Sequence, residues 1–485
     1  MKTFFSFKTS YCAVLLVLLL SCEQMDMQEP KHYNGSAHHI AIESALASME
    51  DFLCKTEEAS SKGEGSHARK VSSIYTIEMP KLRTKAGAAF VPASDCDEIM
   101  YVVNFGEGEG FALLAADDRI SDEIIAITDK GTMNEEQIYA SFQRACLRDS
   151  LETKGNDTPC TSFYDMQFYD ENSDDYYIGD YVEPNGGAGG ILSHNMEVVA
   201  DLCTGYVLNQ INGFTPPCDT LAVDDVESEV VTTYSQPVVN KLLYQLYGWN
   251  QSPAPFNSLL PNCILSSQTA YAGCVNLAIA KIITYHSFPT PVVVNGVLLD
   301  WSAMKTNVYS QSGRASVASL ISYVFSRTTS FAFVQGTFTL PSTARTCLQG
   351  IGYQNTLYRD YSAATVKQML DDGCPVMVCS LPRLGFLNYD FGHSHAWNID
   401  GYLNRTRTTT FYYYVGGLLD HTSSMIETST MVHCDWGWGG NCNGYFSSGI
   451  FNLSSNSNVY DGYHVGHATN YNYYIKIISY DRPNR

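Results

Sequence analysis

Cys274 stands in the segment AGCVNLAIAKIITYH (272–286), and far downstream His395 begins HAWNIDGY (395–402). A free thiol is mostly protonated at neutral pH, and the thiolate is the nucleophile, so a reacting cysteine needs an activating environment. The run Val275, Leu277, Ala278, Ile279, Ile282, Ile283 predicts a helix apolar almost all round. Cys274 is its first residue, where the positive end of the helix dipole favours a thiolate. A histidine beside that thiolate holds it as an ion pair and then protonates a leaving amine. His393 shares the strand face of His395 and competes for this role. A third segment, HCDWGWGG (433–440), offers Asp435 to fix the imidazole ring and its tautomer, and Trp436 to cover that hydrogen bond from water. Gln251, in GWNQSPAPFN, is the candidate side-chain donor, with the Cys274 N–H, to the oxygen that becomes negative during acyl transfer. Each residue alone has a plainer explanation: a buried structural cysteine, a packed turn of tryptophans and glycines, a surface glutamine. His286, at the far end of the Cys274 helix where a cation is comfortable, reads as structural.

These groups must be brought together by a helix and by strands from opposite walls of a cleft. Residues 236–485 read as one domain. A helix precedes Trp249, then come the Cys274 helix, a helix near 315–326 and AATVKQMLDDG (363–373). The strand-like segments PVMVCS, HAWNIDGYL, TTFYYYVGGLL, STMVHCDW and NYYIKIISY follow. Helices first and antiparallel strands later give an α+β fold of two subdomains. Upstream, residues 39–152 form a smaller α+β unit. It has a helix in HIAIESALASMEDFLCK, the strand pair MYVVNF and FALLAAD joined by GEGEG, the strand EIIAIT and a helix over 134–152. Residues 153–235, with the acidic run YDENSDDYYIGD and the loop NGGAGG, read as a partly structured connector open to proteases. Asp170, Asn172 and Asp174 alternate like calcium ligands, but the glycine and terminal glutamate of an EF-hand loop are missing, so a solvated acidic loop is expected.

The chain has 485 residues, 45% of them hydrophobic, more than one compact domain needs. Its 29 basic and 50 acidic residues give a net charge of −21, the wrong sign for a nucleic-acid binder. The N-terminus, MKTFFSFKTSYCAVLLVLLLSC, has two lysines and an apolar run from Ala13 to Leu20. That run is far short of the roughly 20 residues a bilayer requires, so it reads as a secretory signal. Leu19-Leu20-Ser21-Cys22 resembles a bacterial lipobox, in which Cys22 carries the lipid; residues 23–38 then form a tether. Of 15 cysteines, Cys12 and Cys22 fall in the signal and Cys274 is the nucleophile; the others read as buried apolar residues or disulfide partners.

QPVVNKLLYQLYGWNQSPAPFN, AGCVNLAIAKIITYH, HAWNIDGY and DWGWGG together resemble the streptopain family of bacterial cysteine peptidases, which are papain-like in fold. The unit containing MYVVNFGEGEGFALLAADDR is similar to that family's inhibitory pro-domain. The resemblance implies an exported zymogen of a cysteine endopeptidase acting on proteins or peptides, with no metal or other cofactor. Its parts would be a signal (1–22), a tether (23–38), a pro-domain (39–152), an activation segment (153–235) and a catalytic domain (236–485). It implies Cys274 as nucleophile, His395 as base, Gln251 as oxyanion residue and Trp436 as shielding aromatic. The expected location is the cell envelope, as a lipoprotein of the outer membrane or cell surface, or the medium after processing. Two positions depart from the family pattern: Asp435 stands where asparagine is usual, and Ser394 where glycine is usual, at a position expected to line the substrate cleft. The alternatives are an inactive relative serving as an adhesin or peptide-binding protein, and a zinc hydrolase using His393, His395, His433 and Cys434, which lacks HExxH or paired CxxC spacing.

Overall fold

The computed structural model describes residues 39–57, 69–78, 98–142, 169–170, 175–176, 178, 187–213, 225–252, 254–290, 292–334, 336–381, 394–415, 418–451 and 474–483. The signal with Cys22, the tether, Asn172, Asp174 and His393 lie outside them.

The helices include α1 (Ile42–Glu57), α2 (Gly187–Gly213), α3 (Cys274–His286), α4 (Trp301–Thr306), α5 (Gln311–Arg327), α6 (Pro341–Ile351) and α7 (Ala363–Asp371), and residues 135–142 are helical as well. Eleven strands make one sheet. They are β1 (Val71–Glu78), β2 (Glu98–Phe105), β3 (Phe111–Ala115), β4 (Ile124–Thr128), β5 (Asp225–Tyr234) and β6 (Leu357–Asp360). Then come β7 (Val376–Leu381), β8 (His395–Val415), β9 (Leu418–Asp435), β10 (Gly444–Ser447) and β11 (Tyr474–Ser479). The order across the sheet is β1-β2-β3-β4-β10-β9-β8-β7-β11-β6, with β5 beside the outer half of β8. The fold is α+β.

The N-terminal unit is not a detached body. Its last strand, β4, pairs antiparallel with β10 through Gly444–Thr128, Tyr445–Ile127 and Phe446–Ala126, so one sheet runs from β1 to β6. Alternate residues of β2 and β3 feed opposite faces, as the period of a strand requires. Met100, Val102, Phe111 and Leu113 join the large core that also holds α3, whereas Tyr101, Val103, Ala112 and Leu114 face Ala45, Met49 and Phe52 of α1.

The segment 153–235, expected to be partly structured, has two long elements among its described residues. It contains the 27-residue helix α2, whose Val198, Val199, Leu202, Cys203 and Val207 are buried in the large core. It ends in β5, which pairs along β8 from Tyr234–Arg405 to Asp225–Tyr414. Behind the acidic run and NGGAGG, the apolar residues of this helix are interrupted by only two charges, Glu197 and Asp201. The expected helix before Trp249 is a single 3₁₀ turn, Tyr244–Leu246, and HAWNIDGYL and TTFYYYV are two ends of one 21-residue strand. Strand β1 and helix α6 had no sequence reading of their own.

A buried charge cluster fastens the two halves. Asp122, just before β4, accepts from Arg405 of β8 at 2.6 Å and from Ser429 at 3.2 Å, and also holds the hydroxyls of Tyr206 and Ser447. Removing one partner of a buried pair strands the other, at a cost of about 3–5 kcal/mol. Arg405→Met should therefore lower the unfolding free energy of the full chain by about that amount, read from urea denaturation. A loss under about 1 kcal/mol would mean the hydroxyls alone satisfy Asp122.

Candidate active site

Cys274 is the first residue of α3, as expected from its apolar run. Gly273 caps it at φ +81°, and a Cβ there would lie 3.0 Å from Thr337 Cγ2, so both backbone and space demand glycine. No side chain caps this helix end. Asn276, in the first turn, donates to the Ala272 carbonyl at 3.0 Å and accepts from Thr328 at 2.7 Å, pinning the nucleophile's turn from behind. The far end carries His286 against Tyr480 and Tyr353, a structural place.

His395 opens β8 opposite Ser380 of β7. Its ring is enclosed by Trp438 (centroids 4.5 Å apart), Trp436 (5.9 Å) and Trp397 (6.2 Å). Its Nε2 lies 2.8 Å from the main-chain carbonyl of Trp436. A carbonyl oxygen can only accept, so Nε2 carries the proton and Nδ1 is left as the basic nitrogen. Trp436 thus serves the histidine through its backbone as well as its ring.

Asp435 does not do what its position suggests. Its carboxylate is occupied by Lys281 of α3 (3.0 and 2.7 Å), Asn443 Nδ2 (3.1 Å) and the Gly437 N–H (3.4 Å). The orienting acceptor for His395 is the next residue's carbonyl. Lys281 lay hidden in the sequence because it sits within the apolar run.

Gln251 is drawn to the nucleophile by backbone bonds. Its carbonyl accepts from the Ala272 N–H at 3.0 Å, two residues before Cys274. Next to it, Asn250 forms an antiparallel bridge with Trp438, and Trp249 accepts from the Gly439 N–H at 3.1 Å. The segments carrying Gln251, Cys274, Trp438 and His395 therefore converge. Gly437, at φ +78°, lets its loop pass over the first turns of α3; a Cβ there would come 3.2 Å from Leu277. Cys274, His395 and Ser394 are all buried, so Ser394 does not line an open surface in this state.

His433 belongs to a separate cluster. Its Nδ1 donates to Asp400 at 2.7 Å, and its Nε2 lies 3.5 Å from Asp129 of the N-terminal unit. Cys434 is on the other face of β9, and among the described residues no group of three metal-ligating side chains forms. Of the nine described cysteines eight are buried, and burial pushes the thiols of Cys347, Cys374 and Cys442 up to about 12.

The N-terminal unit grips the tryptophan loop itself. The Asp129 N–H donates to the Asn443 carbonyl at 2.6 Å, and the Cys442 N–H to the Lys130 carbonyl at 3.1 Å. The Asp129 side chain takes Lys241 at 2.8 Å and Arg69 at 3.1 Å.

The family model of the peptidase C10 family matches residues 249–446. This stretch is similar to the peptidase C10 family. It is the streptopain family of cysteine peptidases that the four motifs resemble, and the match contains Gln251, Cys274, His395, Asp435 and Trp436. Prointerpain A of Prevotella intermedia is a similar solved structure, 16% identical over 84% of this chain and 98% of that one, with a TM-score of 0.40. No curated protein matches.

The Asp129–His433 contact between the C10 stretch and the N-terminal unit has a defined pH sense. Burial opposes charge on His433, but Asp400 and the hydrogen bonds to Asp129 and Asp400 outweigh it and raise the imidazole above its usual 6.5. Burial likewise opposes the Asp129 carboxylate, yet Lys241, His433 and Arg69 hold it well below the ordinary range. A raised imidazole stabilises fully below its unfolded value, and that stability is lost as pH rises through the folded one. The wild-type Tm should fall relative to Asp129→Asn as pH rises above about 6.5, and the difference should be constant from pH 5 to 6. Parallel Tm curves across pH 6–9 would show that His433 does not titrate in the contact.

Proposed function

We propose that the chain is the exported zymogen of a cysteine endopeptidase that hydrolyses peptide bonds through Cys274 and His395. The observation that carries this is the convergence of Gln251, Cys274, His395 and the tryptophan loop within the C10-matching stretch. Cys274 attacks the scissile carbonyl as thiolate, favoured by its uncapped helix N-terminus. His395 carries the proton on Nδ1 and delivers it to the leaving amine, while Nε2–H stays bonded to Trp436. The developing oxyanion is met by the Gln251 side chain and the N–H of Cys274, one of the helix's first N–H groups, which have no intrahelical partner. Water then releases the acyl group and restores the pair.

The N-terminal unit keeps the enzyme latent through its hold on loop 441–443, and processing frees it. The lipobox reading places the precursor on the cell envelope through Cys22, with release to the medium after processing. An inactive, adhesin-like relative would lack the nucleophile or the base, and both are present.

The test is cleavage of casein by full-length chain matured by limited proteolysis, with and without iodoacetamide. Cys274→Ala and His395→Ala should each abolish cleavage while far-UV circular dichroism stays unchanged. Casein cleaved by Cys274→Ala at more than a trace would remove the mechanism. Iodoacetamide should label Cys274 far faster than the buried thiols held near 12, as peptide mass mapping would show. Gln251→Ala should lower kcat by roughly 10²-fold or more, the usual loss of one oxyanion donor. A kcat unchanged within twofold would take Gln251 out of the site.

A further inference from the structure

Lys281 and Asp435 are both fully buried and joined by two charge-assisted hydrogen bonds of 2.7 and 3.0 Å. They connect the two elements whose relative placement decides whether the Cys274 thiol meets the His395 ring. Lys281 stands two turns along α3 from Cys274. Asp435 ends β9, next to the residue whose carbonyl holds His395 Nε2 at 2.8 Å. The connection is extended on both sides. Asn443 donates to Asp435 at 3.1 Å while accepting the Trp436 N–H at 3.0 Å, and Asn398 of β8 donates to the Ala278 carbonyl of α3 at 3.2 Å.

Beyond the polar anchors at its two ends, Asn276 in the first turn and His286 against Tyr480, α3 packs into the core through Val275, Leu277, Ala278, Ile279, Ile282 and Ile283. Apolar burial is non-directional, so it holds a helix down without fixing its rotation or axial position. A buried ion pair is a poor source of net stability, and a register-setting role is its best-attested use. Burial pushes the Asp435 carboxyl above the ordinary range, and Lys281 opposes this.

We propose that Lys281 is a positioning residue: through Asp435 it locks the rotation of α3 to the Trp436 carbonyl, and so sets Cys274 against His395. The proposal rests on the Cys274–His395 reading. It also accounts for an aspartate where the family pattern has asparagine: the acid is matched to a lysine on the nucleophile's helix. In this chain Asp435→Asn alone strands a buried ammonium, and Lys281→Met alone strands a buried carboxylate, so each single change should lower the Tm.

The experiment compares two double variants of the full chain after limited proteolysis. Lys281→Met with Asp435→Asn removes both charges and the bond between the elements. Lys281→Gln with Asp435→Asn removes the charges but keeps a hydrogen bond. With both Tm values near wild type, the first should lose at least tenfold in kcat with KM changed less than threefold. It should also lose about tenfold in the rate of Cys274 alkylation at pH 6. The second should recover both to within about threefold of wild type. A purely space-filling pair would leave kcat and alkylation unchanged in the Met/Asn protein, and that result overturns the proposal. If that protein does not fold, Lys281→Arg decides. Its larger head group keeps the charge but displaces the carboxylate, so a folded Arg variant with wild-type kcat overturns the proposal and a tenfold loss supports it. The Cys274→Ala control separates the two levels. If Cys274→Ala leaves hydrolysis intact, the Cys–His reading fails and takes the proposal with it; if that control passes, the variants judge Lys281 alone.

Discussion

The bond from His395 Nε2–H to the Trp436 carbonyl is the constraint on which the site depends. A side-chain acceptor can swing or change protonation; a main-chain carbonyl can do neither, so the imidazole inherits the rigidity of the backbone that holds it. The requirement then moves to the loop. Trp436 must be held by Asn443, Asp435 must be anchored, and the glycines around Trp438 must let the chain turn back onto residues 249–250. The stacked tryptophans complete this by keeping water off the bond they surround.

Continuity of the sheet is the second organising fact. Because β4 adds directly to β10, the N-terminal unit reaches the tryptophan loop by ordinary strand pairing. Asp122 with Arg405, and Asp129 with Lys241 and His433, fasten the same junction with charge. Helix α2 fills the face that α1 leaves open, joining the unit's core to that of α3.

Much of this was legible in the sequence where local pattern and chemistry agree. The all-apolar run after Cys274 gave a buried helix, and the alternation in HAWNIDGY and STMVHCDW gave strands. The glycines of WGWGG marked a tight turn. What stayed hidden were pairings made by the fold. Nothing in the spacing of Lys281 and Asp435 shows that they meet, so the aspartate was given the histidine as its natural partner. Helix α2 was masked by glycine and acidic neighbours, and its burial is decided by a sheet face formed elsewhere in the chain.

Strand β5 has a consequence for what a mature form can look like. It lies just before the stretch resembling the catalytic domain, yet it supplies the hydrogen-bonding partners for ten residues of β8. A long strand with an open edge invites pairing with other chains. A cut after Tyr234 would uncover that edge along an arm whose opposite margin, at Leu418, Leu419, Met425 and Ile426, already shows apolar side chains to solvent. A cut before Asp225 leaves the arm three strands wide. The choice of scissile bond thus governs colloidal behaviour as well as release of activity.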